Sequence, residues 1–479
     1  MRKLRWPVVF AVVVMLAGAC GRSSNNAGGD DSGGGGSSSA PPTTAKKTAG
    51  SFGDLKDPVC GPAPSGASLT ASDTGVTASS IQVSTFSDPG FVGRPGLNQE
   101  LFDTATAFSA WCNAAGGING RKIVLKKRDA QLTQFQQRVI EACQQKDFMM
   151  VGGGAVFDDT GQKERLQCGL PTVAGYVVTP AATEADLTYQ PVPNPLGEAS
   201  IGDFRWLGQK FPDATKKVAA ITGAISTTIT VLKRYQEVIK GLGWKVVYND
   251  TYNPLGESNW RPKAEGIKSS GAKAIVWVGE PKFEAQLMKA LSDIGYPVDF
   301  VRTDANHYDP VLLSTGGAAV NNVYVRSVFH PFLDASDADK NEAVKEYRDM
   351  VQKYVGSKGK IAYLGVQGLS AWVLFAQAAT SCGADLTRDC VWANIGKVKE
   401  WTGGGLHSPQ NVADDKPGDC FALEEALNGK FVLADINPNQ GIFSCDPKNL
   451  FTIKGNYGTG VKCPNPAYAT DPKPSTCAS

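Results

Sequence analysis

Histidine is scarce in this sequence, and the cysteine spacing that is typical of metal sites is missing. Among 479 residues only three histidines occur, His307, His330 and His407, and they lie far apart in the chain. No Cys-x-x-Cys pair occurs either, although zinc sites commonly use that spacing. We therefore predict no metal ion and no cofactor.

A strong excess of one charge is also missing. The chain has 48 lysine and arginine residues against 46 aspartate and glutamate residues. A chain so nearly neutral produces no strong field that would attract nucleic acid or an anionic membrane surface. The composition therefore excludes nucleic-acid binding as the main function.

The motifs of several enzyme classes are absent as well. The sequence contains no G-x-S-x-G, no H-E-x-x-H and no kinase signature. The triplet Gly152-Gly153-Gly154 does not continue into a nucleotide-binding loop, because Phe157 stands where the third glycine belongs. The adjacent acids Asp158 and Asp159 are interpreted as complementing a helix dipole. An exported hydrolase is kept only as an alternative.

The first twenty residues have the pattern of an export signal. Arg2, Lys3 and Arg5 form a basic head, and the apolar run 6–16 that follows is too short for a permanent membrane helix. Leu16-Ala17-Gly18-Ala19-Cys20 resembles the lipobox of bacterial lipoproteins, although leucine stands four residues before the cysteine instead of the usual three. This predicts lipid attachment at Cys20; a plain secretory signal cut after Ala19 is the alternative.

Residues 21–50 consist mostly of Gly, Ser, Ala, Pro, Thr and Asn, which predicts a flexible tether. The tether forms the first part of a linker and N-terminal extension over residues 21–75. A tether directly after a lipid-bearing cysteine suits a protein that is held at the outer surface of a membrane. We therefore predict an extracytoplasmic protein with a lipid anchor.

Ten cysteines remain when Cys20 is set aside, which allows five disulfides in an exported protein. The sequence does not fix their pairing, but pairs that are close in sequence lose the least loop entropy. On that basis we predict Cys60–Cys112, Cys143–Cys168, Cys382–Cys390, Cys420–Cys445 and Cys463–Cys477.

Short apolar runs alternate with longer amphipathic segments from residue 77 onward, which predicts an α/β fold with parallel sheets. The first series has strands at 81–86, 122–127, 148–151 and 171–174, with helices at 98–115, 133–145 and 159–168. After a proline-rich break at 190–195, the second series has strands at 217–222, 244–248, 274–278 and 300–303, with helices at 228–241, 261–269 and 283–294. A strand at 322–327 and helices at 340–354 and 363–381 complete these lobes. Beyond residue 403 we predict a loop-rich, disulfide-linked appendage with a last strand near 450–453.

Asn113-Ala114-Ala115-Gly116-Gly117-Ile118-Asn119-Gly120-Arg121-Lys122 resembles the N-A-x-G-G-I-x-G-x-K segment of type I periplasmic binding proteins of the branched-chain amino-acid-binding class. The paired glycines suit a helix end followed by a tight reversal into a strand. The resemblance runs from about residue 80 to 354. It includes Thr179-Pro180-Ala181-Ala182-Thr183, Leu187-Thr188 and Ser269-Ser270-Gly271-Ala272.

The resemblance implies two doubly wound parallel-sheet lobes that are joined by three crossovers and hold a ligand between them. The crossovers are expected near 190–195, 327–333 and 399–405. We predict a signal peptide at 1–20, a first lobe of 76–192 with 328–400, a second lobe of 193–327 with 401–456, and a disulfide-linked tail at 457–479.

The resemblance also implies the binding residues. Ala181 and Thr183 match the first-lobe loop that meets a ligand carboxylate, with Tyr176 as the alternative to Thr183. Asp304 stands where the family places its ammonium-binding acid; a turn or helix-capping aspartate is the other interpretation. The remaining predicted contacts are Phe91, whose other interpretation is a buried loop anchor, Gly154 and Ala155 in a loop whose N–H groups could meet an anion, and Thr227, Glu280 and Asn306 in the second lobe.

These residues predict a monomeric solute-binding lipoprotein of an ABC transporter. It would close around an amino acid, an amide or a small carboxylate and deliver it to the transporter's permease. A receptor that senses the same ligand is the main alternative, because closure around a ligand serves both functions.

Overall fold

The computed structural model describes residues 47–463 and Cys477. The predicted signal peptide, the lipidation site Cys20, most of the tether and most of the tail lie outside the described residues.

The first sheet has five strands, all parallel, in the order β2-β1-β3-β4-β5. Its strands alternate along the chain with helices, because parallel neighbours need a crossover connection. The strands are β1 (Ser80–Ser87), β2 (Lys122–Asp129), β3 (Met149–Val151), β4 (Thr172–Val173) and β5 (Thr188–Tyr189). The helices between them are α1 (Gln99–Ala115), α2 (Phe135–Gln144), α3 (Gln162–Gln167) and α4 (Pro180–Thr183).

The predicted turn between α1 and β2 depends on glycine. Gly117 has φ 88°, and a Cβ at this position would stand 2.2 Å from the carbonyl oxygen of Arg121. The paired glycines therefore end α1 and reverse the chain as the motif indicated.

The second sheet has eight strands and is mixed. Its parallel part is β7 (Val218–Gly223), β8 (Val246–Tyr252), β9 (Ala274–Val278), β10 (Phe300–Asp304) and β11 (Val323–Ser327). The helices of this part are α5 (Gly202–Lys210), α6 (Ser226–Gly241), α7 (Arg261–Ser270), α8 (Pro281–Asp293) and α9 (Pro310–Gly316); before them, β6 (Glu198–Ser200) follows the first crossover. Two α/β lobes with parallel sheets are thus confirmed.

After β11 the chain returns to the first lobe. Its helices there are α10 (Ala335–Ala338), α11 (Glu342–Tyr354), α12 (Tyr363–Thr380) and α13 (Arg388–Ile395). Helices α11 and α12 pack on α1, and α13 packs on α12. Helix α12 is buried on nearly every side, in keeping with its almost wholly apolar sequence.

The interpretation of the region beyond residue 403 as a loop-rich appendage is wrong, although the last strand predicted near 450–453 is present at Leu450–Thr452. Strand β12 (Cys420–Leu427) pairs antiparallel with β11 and extends the second sheet, and β13 (Lys430–Leu433) pairs antiparallel with β12. Two short strands follow, β14 (Ser444–Cys445) and β15 (Leu450–Thr452), and β15 pairs with β6. Glu424 and Glu425 interrupt the apolar pattern of β12, although Asn428-Gly429 between the two strands is itself a common hairpin signal.

Packing of the N-terminal extension begins at Lys47, three residues before the predicted end of the tether. The Lys47 ammonium pairs with Glu346 at 2.8 Å, and the Phe52 side chain is fully buried. The Cys60–Cys112 disulfide joins this extension to α1. The other four disulfides also join the cysteines in the pairs expected from their spacing.

The C-terminal segment 454–463 contacts both lobes. On the second lobe, the Glu237 carboxylate of α6 accepts hydrogen bonds from the Lys454 N–H at 2.6 Å and the Tyr457 hydroxyl at 2.9 Å. On the first lobe, the Val461 N–H donates to the Ala181 carbonyl at 3.1 Å, and the Val461 carbonyl accepts from the Asp186 N–H at 3.1 Å. This segment therefore adds a contact between the lobes besides the crossovers.

Candidate ligand-binding cleft

A cavity of about 430 Å³ lies between the two lobes. Residues at or just beyond the carboxyl ends of the parallel strands line it. The second lobe supplies Gly223, Tyr252, Gly279, Asp304 and Arg326, which end or closely follow β7 to β11 in turn. Ligands of open α/β sheets bind at this edge, because the connecting loops diverge there. The cavity therefore lies where the fold predicts a binding site.

The structure brings six of the ten predicted contact residues together around this cavity. They are Tyr176, Thr183, Thr227, Glu280, Asp304 and Asn306. The other four, Phe91, Gly154, Ala155 and Ala181, do not line it.

These four residues have other surroundings. Phe91 lies in the turn after β1, with its ring beside Gly93. Ala155 is fully buried in an apolar cluster around Phe86, and the Ala181 carbonyl is occupied by the C-terminal segment.

The N–H groups of the glycine triplet are largely occupied. The Gly154 N–H donates to the Phe86 carbonyl at 3.1 Å, and the Gly152 N–H donates to Val173 at 2.9 Å. The expectation that this loop presents bare N–H groups to an anion therefore does not hold for these two residues.

Asp158 fixes the first-lobe wall of the cavity. Its buried carboxylate accepts hydrogen bonds from the N–H groups of Val178 at 2.8 Å and Thr179 at 3.0 Å. Burial raises the pKa of Asp158 to about 7, against the effect of these bonds. The interpretation of Asp158 as a helix-start acid is wrong, since α3 begins only at Gln162. The carboxylate instead holds the loop that places Tyr176 on the cavity.

A buried charge network supports the second-lobe floor of the cavity. The Arg302 guanidinium pairs with Asp203 at 2.6 Å and with Asp304 at 2.9 Å. The Tyr235 hydroxyl donates to the Asp304 carboxylate at 2.9 Å. Burial, followed by the Asp304 charge, raises the pKa of Tyr235 to about 12, so this hydroxyl stays protonated as a donor. Asp304 ends β10, and its side chain caps no helix.

One ion pair crosses the mouth of the cavity. Arg94, in the first-lobe loop after β1, pairs with Glu280, which precedes α8 in the second lobe. Both side chains are partly exposed, so the pair adds little to stability. Its position is informative, however, because the pair forms only when the two lobes are close together.

His307 holds the backbone next to Glu280 in place. Its buried ring pairs with the Glu284 carboxylate through Nδ1, and its Nε2 lies 2.8 Å from the Gly279 carbonyl oxygen. Burial alone would lower the pKa of His307, but the charge and hydrogen bond of Glu284 raise it above the ordinary value of 6.5. The pair thus holds the backbone just before Glu280.

This raised pKa predicts a pH-dependent contribution to stability. A histidine with a raised folded-state pKa contributes fully below its unfolded pKa, and the contribution is lost as the pH rises through the folded-state pKa. We expect the advantage in unfolding free energy of the wild type over His307→Asn/Glu284→Gln to shrink as the pH rises from 6 to 9. Urea titrations of both proteins across this range measure it. A constant difference would contradict the assignment.

A buried Ser–His pair elsewhere does not form a reaction site. The His407 Nε2 lies 2.8 Å from the Ser370 Oγ, and the Nδ1 lies 2.8 Å from the Ser408 carbonyl oxygen instead of a carboxylate. Both side chains are buried, and neither lines the cavity. The Trp401 indole also donates to the Ser370 Oγ at 2.8 Å. The cluster joins α12 to the third crossover.

The described residues hold neither a metal-binding cluster nor a membrane-spanning helix. No group of three or more His, Cys, Asp or Glu side chains in residues 47–463 is placed to hold a metal ion. Among the helices described, none has the length and apolar character needed to cross a membrane.

Several solved structures have the same fold as this chain. A leucine-binding protein from Thermotoga maritima is 14% identical, with a TM-score of 0.60 over 77% of this chain and 99% of that chain. A branched-chain amino acid transporter substrate-binding protein from Streptococcus pneumoniae, in complex with isoleucine, is 16% identical, with a TM-score of 0.57 over 74% of this chain and 100% of that chain. A fatty acid ABC transporter substrate-binding protein from Thermomonospora curvata is 16% identical, with a TM-score of 0.58 over 80% of this chain and 98% of that chain.

The sequence itself supports a family assignment. Among curated proteins, none is significantly similar in sequence. The profile of the periplasmic binding protein family, however, matches residues 97–423, which is more than half of the chain and includes strands and helices of both lobes. The chain therefore belongs to the periplasmic binding proteins, a family of extracytoplasmic solute-binding proteins, and has their type I fold.

Proposed function

We propose that this protein is the lipid-anchored solute-binding component of an ABC transporter. It captures a small solute between its lobes by hinge closure and delivers it to the membrane permease. The observation that carries the proposal is the cavity of about 430 Å³, whose walls come from both lobes. A ligand that contacts both walls favours the closed state, because it binds that state better than the open one.

The N-terminal sequence supports the location. The basic head, the short apolar run and Cys20 fit export and lipid attachment, and residues 21–46 supply a polar connection to the packed extension that begins at Lys47. A single lipid-bearing residue and a tether of this composition hold a binding protein near its permease without restricting its orientation.

Proteins of the same fold suggest which class of ligand binds here. Those whose names state a ligand bind branched-chain amino acids or fatty acids. We propose that the six predicted residues at the cavity, Tyr176, Thr183, Thr227, Glu280, Asp304 and Asn306, contact the solute or the closing lobe. Thr227 is the best placed of these, because its hydroxyl is buried in the first turn of α6 without a hydrogen-bond partner among the described residues.

A thermal-shift screen of the full-length protein in detergent tests the proposal. The panel contains amino acids, amides and carboxylates of increasing chain length. A ligand present at 100 times its dissociation constant stabilises the folded form by about 2.7 kcal/mol, so a true ligand raises the unfolding midpoint by several degrees. Small-angle scattering should show a more compact particle with that ligand.

Two threonine variants provide the control. Thr227→Val removes the buried hydroxyl and should weaken binding by about 2- to 10-fold, the usual value of one hydrogen bond. Thr251→Val, at an exposed position on β8, should leave binding unchanged. A panel with no stabilising compound, or chemical conversion of a bound compound, would contradict the proposed function.

A further inference from the structure

Arg326 differs from every other charged residue at the cavity. It stands near the carboxyl end of β11 and lines the cavity. Among the described residues its side chain forms no hydrogen bond and no ion pair, and its Nε is buried without a partner. The other charged side chains of the cavity wall all have such partners, for example Lys360 with Glu100 at 2.8 Å. A buried guanidinium N–H without an acceptor is costly unless a ligand supplies one.

The acid beside Arg326 does not provide that acceptor. Asp304 is the in-register neighbour of Arg326 on β10, but its carboxylate is engaged by Arg302 and by the Tyr235 hydroxyl. An ammonium group placed at Asp304 would therefore lie next to the unpaired guanidinium of Arg326. Repulsion between these two cations disfavours an α-amino acid in this part of the cavity.

A second unpartnered donor faces the same place from the other lobe. Tyr363 begins α12, which packs on α1 of the first lobe, and it lines the cavity. No described residue accepts a hydrogen bond from its hydroxyl. Burial raises the pKa of Tyr363 above its usual range, and the nearby charge of Arg326 acts against that rise. The hydroxyl is therefore a neutral donor near the guanidinium.

The rest of the cavity suits an apolar chain. Helix α6 follows the cavity wall from Thr227 to Tyr235, eight residues or about 12 Å at the usual helical rise. Aliphatic side chains from both lobes line the cavity, including Leu97 and Val178 of the first lobe and Ile225 and Val231 of the second. The volume of about 430 Å³ falls in the range of roughly 300–1,000 Å³ that accommodates drug-sized ligands.

From these contacts we infer that the solute is an amphipathic monocarboxylate without an α-ammonium group. This inference rests on the proposed function and names its ligand class. The carboxylate accepts hydrogen bonds from Arg326 of the second lobe and from the Tyr363 hydroxyl of the first, so that it joins the lobes in the closed state. The aliphatic chain lies along α6. A carboxylate can accept both donors at once, and bonds from a guanidinium are among the stronger hydrogen bonds in proteins.

Isothermal titration of the full-length protein with three matched probes tests this ligand class. Octanoate should bind, and octanamide should bind about 10- to 100-fold more weakly because it lacks the charge. Racemic 2-aminooctanoate, which adds only the ammonium group, should also bind at least 10-fold more weakly than octanoate. A series from butanoate to octanoate should gain affinity with each added methylene.

Variants test the assigned residues. Arg326→Gln should weaken octanoate binding by about 10- to 100-fold and leave octanamide binding almost unchanged, a difference that a merely structural role would not produce. Arg326→Lys should restore part of the loss, and Tyr363→Phe should weaken octanoate by about 2- to 10-fold. Arg261→Gln, on the exposed surface of α7, is the matched control.

Two results would overturn the inference without touching the proposed function. One is tighter binding of 2-aminooctanoate or leucine than of octanoate; the other is equal binding of octanoate and octanamide. If no octanoate-series probe binds while another solute of the screening panel does, the inference also fails and the capture function stands. If neither these probes nor any panel compound binds, both fail.

Discussion

Replacing Arg302 with methionine is expected to lower the free energy of unfolding by about 3–5 kcal/mol, the usual cost of removing one partner of a buried ion pair. Asp203 is fully buried, and in this variant it loses the ion-pair partner that it has among the described residues. Asp304 and the Tyr235 hydroxyl also lose the guanidinium that holds them. Urea unfolding of the full-length protein, followed by tryptophan fluorescence, measures the change.

Two variants separate charge from packing in this experiment. Asp203→Leu/Arg302→Met removes both charges of the deepest pair, so it should recover most of the loss, since apolar replacement of a whole buried pair is often neutral. Arg261→Met replaces an exposed arginine and should change stability by no more than about 0.5 kcal/mol. An Arg302→Met protein within about 1 kcal/mol of the wild type would show that the network does not stabilise the fold.

Removing the disulfide between Cys60 and Cys112 is expected to cost about 4 kcal/mol of stability, according to the entropy of a loop of this length. The two cysteines are 52 residues apart, so the crosslink strongly restricts the unfolded chain. In Cys60→Ala/Cys112→Ala we also expect faster proteolysis within residues 47–75, because the extension loses its covalent link to α1. Chemical unfolding and limited trypsin digestion measure these effects.

The disulfide between Cys382 and Cys390 provides the matched comparison. These residues are only eight apart, and the same relation gives about 2.5 kcal/mol for their crosslink. The double alanine variant at this pair should therefore be the more stable of the two. The opposite order would mean that local strain or residual structure, not loop entropy, determines how much each disulfide stabilises the protein.

The sequence predicts most of the two lobes because their signals are local. Apolar runs of strand length and amphipathic segments of helix length alternate, and each signal is complete within about twenty residues. The hairpin of β12 and β13 was missed for the opposite reason. Its place depends on pairing with β11, about a hundred residues away in sequence, and its own pattern includes Glu424 and Glu425.

At the candidate site, too, local sequence signals found some residues and missed others. Asp304 and Thr227 were found through the resemblance to the family, in agreement with the rule that residues following parallel strands gather at one edge of a sheet. Arg326 satisfies the same rule at the end of the predicted strand 322–327, so the signal was present and was not used. Arg302 gave no such signal, because its buried partner Asp203 lies 99 residues earlier in the chain.

The C-terminal segment limits how far the cleft opens. Its anchor on α6 at Tyr457 and its anchor on the first lobe at Val461 are only four residues apart. A fully extended chain spans roughly 3.5 Å per residue, so the Cα atoms of Tyr457 and Val461 lie at most about 14 Å apart. While both anchors hold, the segment therefore limits how far the two lobes can move apart.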